Sequence, residues 1–117
     1  MDVYAEQCCY LAELPERMET AVQATRIGDA GIVAFPGEVF ADTGRRATAA
    51  FSAVPLFTVS LANDYIGYIC TDTALTEEGG YETWAANSSL GGVGTEPEML
   101  AAMARAPWLS AHFSGLW

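Results

Sequence analysis

Lysine is absent from the 117-residue chain, and histidine occurs once, at His112. Without lysine the run Gly91-Gly92-Val93-Gly94 cannot work as a P-loop, although it precedes a predicted helix and mimics a phosphate cradle. A connector is the expectation there. With one histidine there is no serine–histidine pairing, and no Gly-x-Ser-x-Gly motif occurs. Positive charge is scarce: 5 basic residues face 15 acidic ones, for a net charge of -10. Phosphate backbones and anionic membrane surfaces would repel such a chain, so nucleic acid is not an expected partner. Cysteine is sparse and odd in number: Cys8, Cys9 and Cys70. An odd count without repeated spacing makes no disulfide framework. Cys8 and Cys9 are too awkwardly placed to bridge each other in a helix, and all three are expected as small buried hydrophobes. No apolar stretch approaches the ~20 residues of a membrane span. Met1 is followed by Asp2 and Glu6, where a signal peptide would need a basic region and an apolar run. The expectation is a cytoplasmic protein or a true N-terminus elsewhere, and localisation stays open.

What is present is a globular balance. Hydrophobic residues make up 51% of the chain and charged residues 17%, too apolar for disorder. The length suits one small domain spanning 1–117, large enough to bury roughly two-thirds of its unfolded surface. Tyr4, Cys8, Leu11 and Ala12 recur at helical spacing, with a stop at Leu14 before Pro15. Residues 21–27 read as a strand, Gly28-Asp29 as a tight turn and 31–35 as a second strand, which makes a β-hairpin. Ile32-Val33-Ala34-Phe35 does not alternate, so this strand is expected to be covered on both faces. Pro36-Gly37 ends it. A helix follows with Phe40, Gly44, Ala47 and Phe51 on one face. Gly44 costs about 1 kcal/mol against alanine mid-helix, and close approach to the sheet is its expected compensation. Residues 56–62 read as another strand, so strand, helix and strand form a βαβ unit with parallel strands. A short helix is expected over 73–78, closed by Gly79-Gly80. Thr95-Glu96-Pro97-Glu98 has the capping-box pattern, opening a last helix that carries Met99, Leu100 and Met103. Pro107 stops that helix, and 106–117 form an unpatterned tail. The fold class is α/β: a small mixed β-sheet with a hairpin and a βαβ crossover, flanked by helices.

Two segments collect polar groups after strands: Phe35-Pro36-Gly37-Glu38 and Leu61-Ala62-Asn63-Asp64-Tyr65-Ile66-Gly67-Tyr68. In a parallel βαβ unit both lie past strand C-termini, on the edge where α/β domains place sites. Glu38 is expected at a helix N-terminus, where the dipole favours a carboxylate. From spacing alone, Glu38 also reads as plain dipole complementation, and a tyrosine after a strand as a half-buried core residue.

Phe-Pro-Gly-Glu at 35–38, Gly-Arg-Arg at 44–46, Leu-Ala-Asn-Asp-Tyr-Ile-Gly-Tyr at 61–68 and Gly-Gly-Tyr-Glu at 79–82 occur in an order that resembles the neutral/alkaline, non-lysosomal ceramidase family, over about residues 20–105. That family cleaves the amide of N-acylsphingosine to sphingosine and a fatty acid. The resemblance implies a catalytic zinc held by two histidines, a glutamate matching Glu38 and a tyrosine matching Tyr68. Beside these, Tyr65 and Tyr81 are candidates to line an apolar cleft for the chain of a lipid amide substrate, with a core or rim role as the plainer reading. Zinc would lower the pKa of a bound water to about 7 and polarise the amide carbonyl. Many family members are secreted or membrane-associated. In the family both histidines precede the stretch matched here, while His112 lies in the tail. The resemblance therefore implies a partial, C-terminal piece of the domain, inactive alone, which a complementary N-terminal segment or chain would complete. Cut out, such a piece should expose sheet edge and apolar surface. Cys70, two residues past Tyr68, is a possible thiolate donor that the family does not use. The alternative is a non-catalytic α/β interaction module that retains only the scaffold.

Overall fold

In the computed structural model the described residues are 3–52 and 55–106. Helix α1 (Val3–Glu13) is followed by strands β1 (Gln23–Ile27), β2 (Ala30–Ala34) and β3 (Glu38–Val39), helix α2 (Ala41–Ala50), strands β4 (Leu56–Val59) and β5 (Tyr68–Ile69), and helix α3 (Thr95–Ala104). A π-helical turn over Ala74–Glu78 and a 3-10 turn over Tyr81–Thr83 lie between β5 and α3. The protein is a small mixed α/β domain with two sheets. One has the order β1-β2-β4, and the other pairs β3 with β5.

The hairpin and the crossover form as the sequence predicts. β1 and β2 are antiparallel, with Ile27 opposite Ala30 across the Gly28-Asp29 turn. β2 and β4 are parallel, with Val33 opposite Thr58, and α2 crosses between them. One face of this sheet meets α2 and α3. Val33, Phe35, Ala47, Phe51, Leu56, Met99 and Met103 belong to one buried cluster there. A Cβ on Gly44 would sit 3.2 Å from the Thr58 hydroxyl, so the helix does lie close to β4 at its glycine. A fully buried carboxylate, Glu96 on α3, accepts bonds of 2.7 and 2.9 Å from one guanidinium nitrogen of Arg46 on α2. This ion pair joins the two helices.

Several expectations need correction. β2 is covered on one face only. Val33 and Phe35 are buried, whereas Ile32 and Ala34 on the opposite face are only half-buried. Their neighbours on that face, Phe57 and Val59, are 62% and 41% exposed. The apolar run thus reflects the composition of the strand, not a second covering layer. β4 ends at Val59 rather than reaching 62, because the chain turns through left-handed backbone at Leu61 (φ 55°) and Asn63 (φ 71°). Cys8 and Cys9 are exposed, since α1 packs little of its surface; Cys70 alone of the three is buried. Thr95 does not cap α3. Gly94 occupies that position, and Asp72 accepts the Gly94 N–H at 2.8 Å. Asp72 therefore holds the backbone N–H at this helix start from outside the helix, and the glycine run before it is a connector. The predicted short helix is a π-helical turn, closed by the Gly79 N–H on the Ala74 carbonyl at 2.9 Å. His112 and the rest of the tail from 107 lie outside the described residues.

Candidate functional site

The Pro-Gly-Glu and Ile-Gly-Tyr segments meet in the smaller sheet. Glu38 is not in a helical turn, as its place after Pro36-Gly37 suggests. It lies on β3, three residues before α2 begins. Tyr68 opens β5 rather than trailing from β4. The two strands are parallel, and Glu38 and Tyr68 are direct register partners. Paired residues in a parallel ladder project to the same face, with strands about 4.8 Å apart. The 30-residue separation in sequence is thus closed by backbone pairing.

Glycine makes that pairing possible. The chain from Pro36 to Phe40 lies along Ile66–Ile69, with Ile66 N–H on the Pro36 carbonyl at 2.9 Å and Glu38 N–H on the Gly67 carbonyl at 2.9 Å. On its other side the Ile66–Ile69 segment meets Ser88 and Ser89, with Tyr68 N–H on the Ser88 carbonyl at 2.8 Å. A Cβ on Gly37 would collide with the Gly67 carbonyl, and one on Gly67 with the Ser88 carbonyl. Gly67 also has a φ of 80°, a conformation that costs other residues about 1–2 kcal/mol. Both glycines of the motif pair are therefore accounted for by three backbones packed side by side. The left-handed Leu61 is held in the same way, by its N–H on the Gly37 carbonyl and the Ala62 N–H on the Phe35 carbonyl, each at 3.0 Å.

All four residues singled out in the sequence come together. The Tyr65 hydroxyl donates to Glu38 Oε1 at 3.3 Å. The Tyr68 and Tyr81 hydroxyls are 3.2 Å apart, and their rings meet edge to face at 5.7 Å. The π-helical turn and Gly79-Gly80 bring Tyr81 back over β5. The Tyr81 bond first, then desolvation and the negative charges of Glu38 and Glu82, push the Tyr68 phenol well above its ordinary range. Next to Tyr65 in the chain, Asp64 accepts the Thr20 hydroxyl and the Tyr65 N–H, which hold its carboxyl below the usual value. Glu82, the last residue of Gly-Gly-Tyr-Glu, and Ser89, in the serine-rich loop, also border the site. Spacing alone gives neither of them a role there.

Glu38 is not tied up by the nearby arginines. Arg45 pairs with Asp42, and Arg46 with Glu96. Cys70, just past the end of β5, is buried, its thiol bonds the Glu82 carbonyl at 3.2 Å, and burial raises its pKa. The implied zinc can be tested against these donors. Zinc sites take four ligands, usually including nitrogen or sulfur. Here the candidates are one carboxylate and one neutral phenol already bonded to another phenol. Among the described residues no three His, Cys, Asp or Glu side chains cluster as a metal site. The described residues do not complete a zinc shell, and no chemical step is derived through one. A shallow groove of about 910 Å³ between α2 and β4, lined by Phe40, Gly44, Thr48 and Thr58, contains none of Glu38, Tyr65, Tyr68 or Tyr81. No described helix is long and apolar enough to cross a membrane.

Comparison with known proteins adds no relative. No family model, curated protein or solved structure matches the chain.

Proposed function

We propose that the chain is a segment of a zinc-dependent amidohydrolase of the neutral ceramidase type, inactive by itself. The observation that carries this reading is the register of Glu38 with Tyr68 on one face of a two-stranded parallel sheet. Two oxygen donors at the positions implied by the motif resemblance thereby share one side of the sheet, and neither arginine neutralises Glu38. Tyr65 and Tyr81 flank them where the acyl or alkyl portion of a lipid amide would approach. In this reading the histidine ligands come from a complementary segment, which meets the open side of Glu38 and Tyr68.

The test is reconstitution. The DNA preceding the Met1 codon is read for a histidine-bearing segment, which is co-expressed with this chain and assayed with a fluorescent N-acylsphingosine and zinc. Zinc-dependent hydrolysis that falls by at least about 10²-fold in Glu38→Gln and in Tyr68→Phe is expected, as for loss of an essential catalytic group. Hydrolysis that ignores both substitutions, or no zinc-dependent hydrolysis, rejects the reading. The chain alone should bind zinc weakly and turn over no substrate.

A second reading, a non-catalytic α/β interaction module, is favoured by one observation: the absence of a three-residue metal cluster among the described residues. On that reading the Glu38–Tyr68 pairing is scaffold, and no complementary segment restores hydrolysis.

A further inference from the structure

The face that carries Glu38 gathers aromatic rings and leaves its negative charge uncompensated. Tyr65 and Tyr81 are 52% and 63% exposed, so their rings stand open to solvent. Tyr68 lies edge-on to Tyr81, and Tyr65 reaches the Glu38 carboxylate. Glu38 and Glu82 both lie near enough to act on the Tyr68 phenol by charge. The chain has no lysine, and the ion-paired arginines are engaged elsewhere: Arg26 with Asp29, Arg45 with Asp42, Arg46 with Glu96. Among the described residues no cationic side chain is paired with Glu38 or Glu82.

This combination selects a class of ligand. Ring faces carry negative potential, and their attraction for a cation grows as the cation is more weakly hydrated. A small metal ion needs a defined shell of donors, which this face does not complete. An alkylammonium needs only ring faces and a nearby carboxylate. An anion is repelled, and a neutral apolar ligand gains nothing from the carboxylates. We propose that the face formed by Glu38, Tyr65, Tyr68 and Tyr81 binds an organic ammonium group, with preference for a methylated one. This site shares residues with the zinc reading but does not depend on it.

The experiment is a titration of the chain against choline, followed by the ring-current shift of the choline methyl resonance. It is run beside the uncharged carbon isostere in which a tert-butyl group replaces trimethylammonium. Choline should give a saturable upfield shift, and the isostere should bind at least about fivefold more weakly, the loss of one exposed cation's interactions. Tyr81→Leu should weaken choline about two- to fivefold, as expected for losing one exposed cation–π contact. Glu38→Gln should weaken it about fivefold, the equivalent of one solvent-screened charge contact. Backbone amide spectra of both variants check that the fold is kept, and Tyr65→Leu serves if either fails. No saturable shift, equal binding of the isostere, or folded variants that bind like the parent would overturn the proposal. Choline binding is read on the chain alone without zinc, so its outcome stands apart from that of the reconstitution experiment.

Discussion

Replacing Gly67 by alanine should be among the most damaging single-methyl additions in this protein, and Gly28→Ala is its control. Both glycines have positive φ, 80° and 59°. The conformational cost of alanine is therefore shared, about 1–2 kcal/mol. The surroundings differ. Nothing lies within 4 Å of a Cβ built on Gly28, whereas one on Gly67 meets the Ser88 carbonyl and the Ser89 nitrogen. These are backbone atoms, so no side chain can swing away. The 86–90 segment must move off β5, and the bonds from Tyr68 N–H to Ser88 and from Leu90 N–H to Ile66, 2.8 and 3.3 Å, go with it. At about 0.5–1.5 kcal/mol each, the total for Gly67→Ala is about 2–5 kcal/mol. That is a large part of the ~5–15 kcal/mol net stability of a small domain. Urea unfolding of both variants and the parent measures it. At a slope of about 2 kcal/mol per molar urea, the Gly67→Ala midpoint should fall by about 1–2.5 M and the Gly28→Ala midpoint by no more than about half of that. Equal losses for the two, within about 0.5 kcal/mol, would show that left-handed backbone alone explains Gly67. The three-strand contact that aligns Glu38 with Tyr68 would then be refuted.

Arg46→Ala leaves the buried Glu96 carboxylate without its partner. The loss should be below the ~3–5 kcal/mol of a fully buried pair, because the Arg46 side chain is itself 55% exposed; thermal unfolding reads it, and no loss would show Glu96 satisfied elsewhere. A thiol-exchange reagent should modify Cys8 and Cys9 rapidly in the native chain and Cys70 only on unfolding, following their exposure; mass spectrometry of labelled peptides would expose the reverse order. Tyr68 has a folded pKa above its unfolded value of about 10, held there first by Tyr81 and then by desolvation and Glu38. The stabilisation this gives is complete below pH about 10 and is lost as pH rises towards the folded pKa. Near-ultraviolet phenolate absorbance should show this tyrosine ionising last, and Tyr81→Phe should bring it down more than Glu38→Gln; a Tyr68 that titrates with the others contradicts the geometry.

Much of the fold was legible because its signals are local. Gly28-Asp29 between apolar runs specifies a hairpin, and the length between 35 and 56 specifies a crossover helix. The misreadings have non-local causes. The continuous apolar run of β2 implies two covered faces, but only helices elsewhere in the chain decide whether a second face has a partner. Thr95 and Glu98 satisfy the capping-box spacing, yet Asp72, 22 residues before Gly94, holds the Gly94 N–H at the helix start. Cys8 and Cys9 read as core by residue type, while α1 turns most of its surface to solvent. For the candidate site, the sequence placed Glu38 and Tyr68 at one sheet edge. The β3–β5 pairing that joins them was not visible, because two-residue strands have no periodicity to detect. Nor could spacing foresee that Tyr81 would return over Tyr68 by way of a π-helical turn.

The side-by-side placement of Glu38 and Tyr68 is the claim on which the site rests, and nuclear Overhauser contacts in the isotopically labelled chain test it most directly. The β3–β5 register predicts contacts from the Glu38 γ-methylene to the Tyr68 ring, and from the Glu38 methylene to the Tyr65 ring that bonds it. Contacts of Glu38 to the buried Phe51 and Met103 side chains instead, with none to Tyr68, would put the carboxylate on the opposite face and contradict the account.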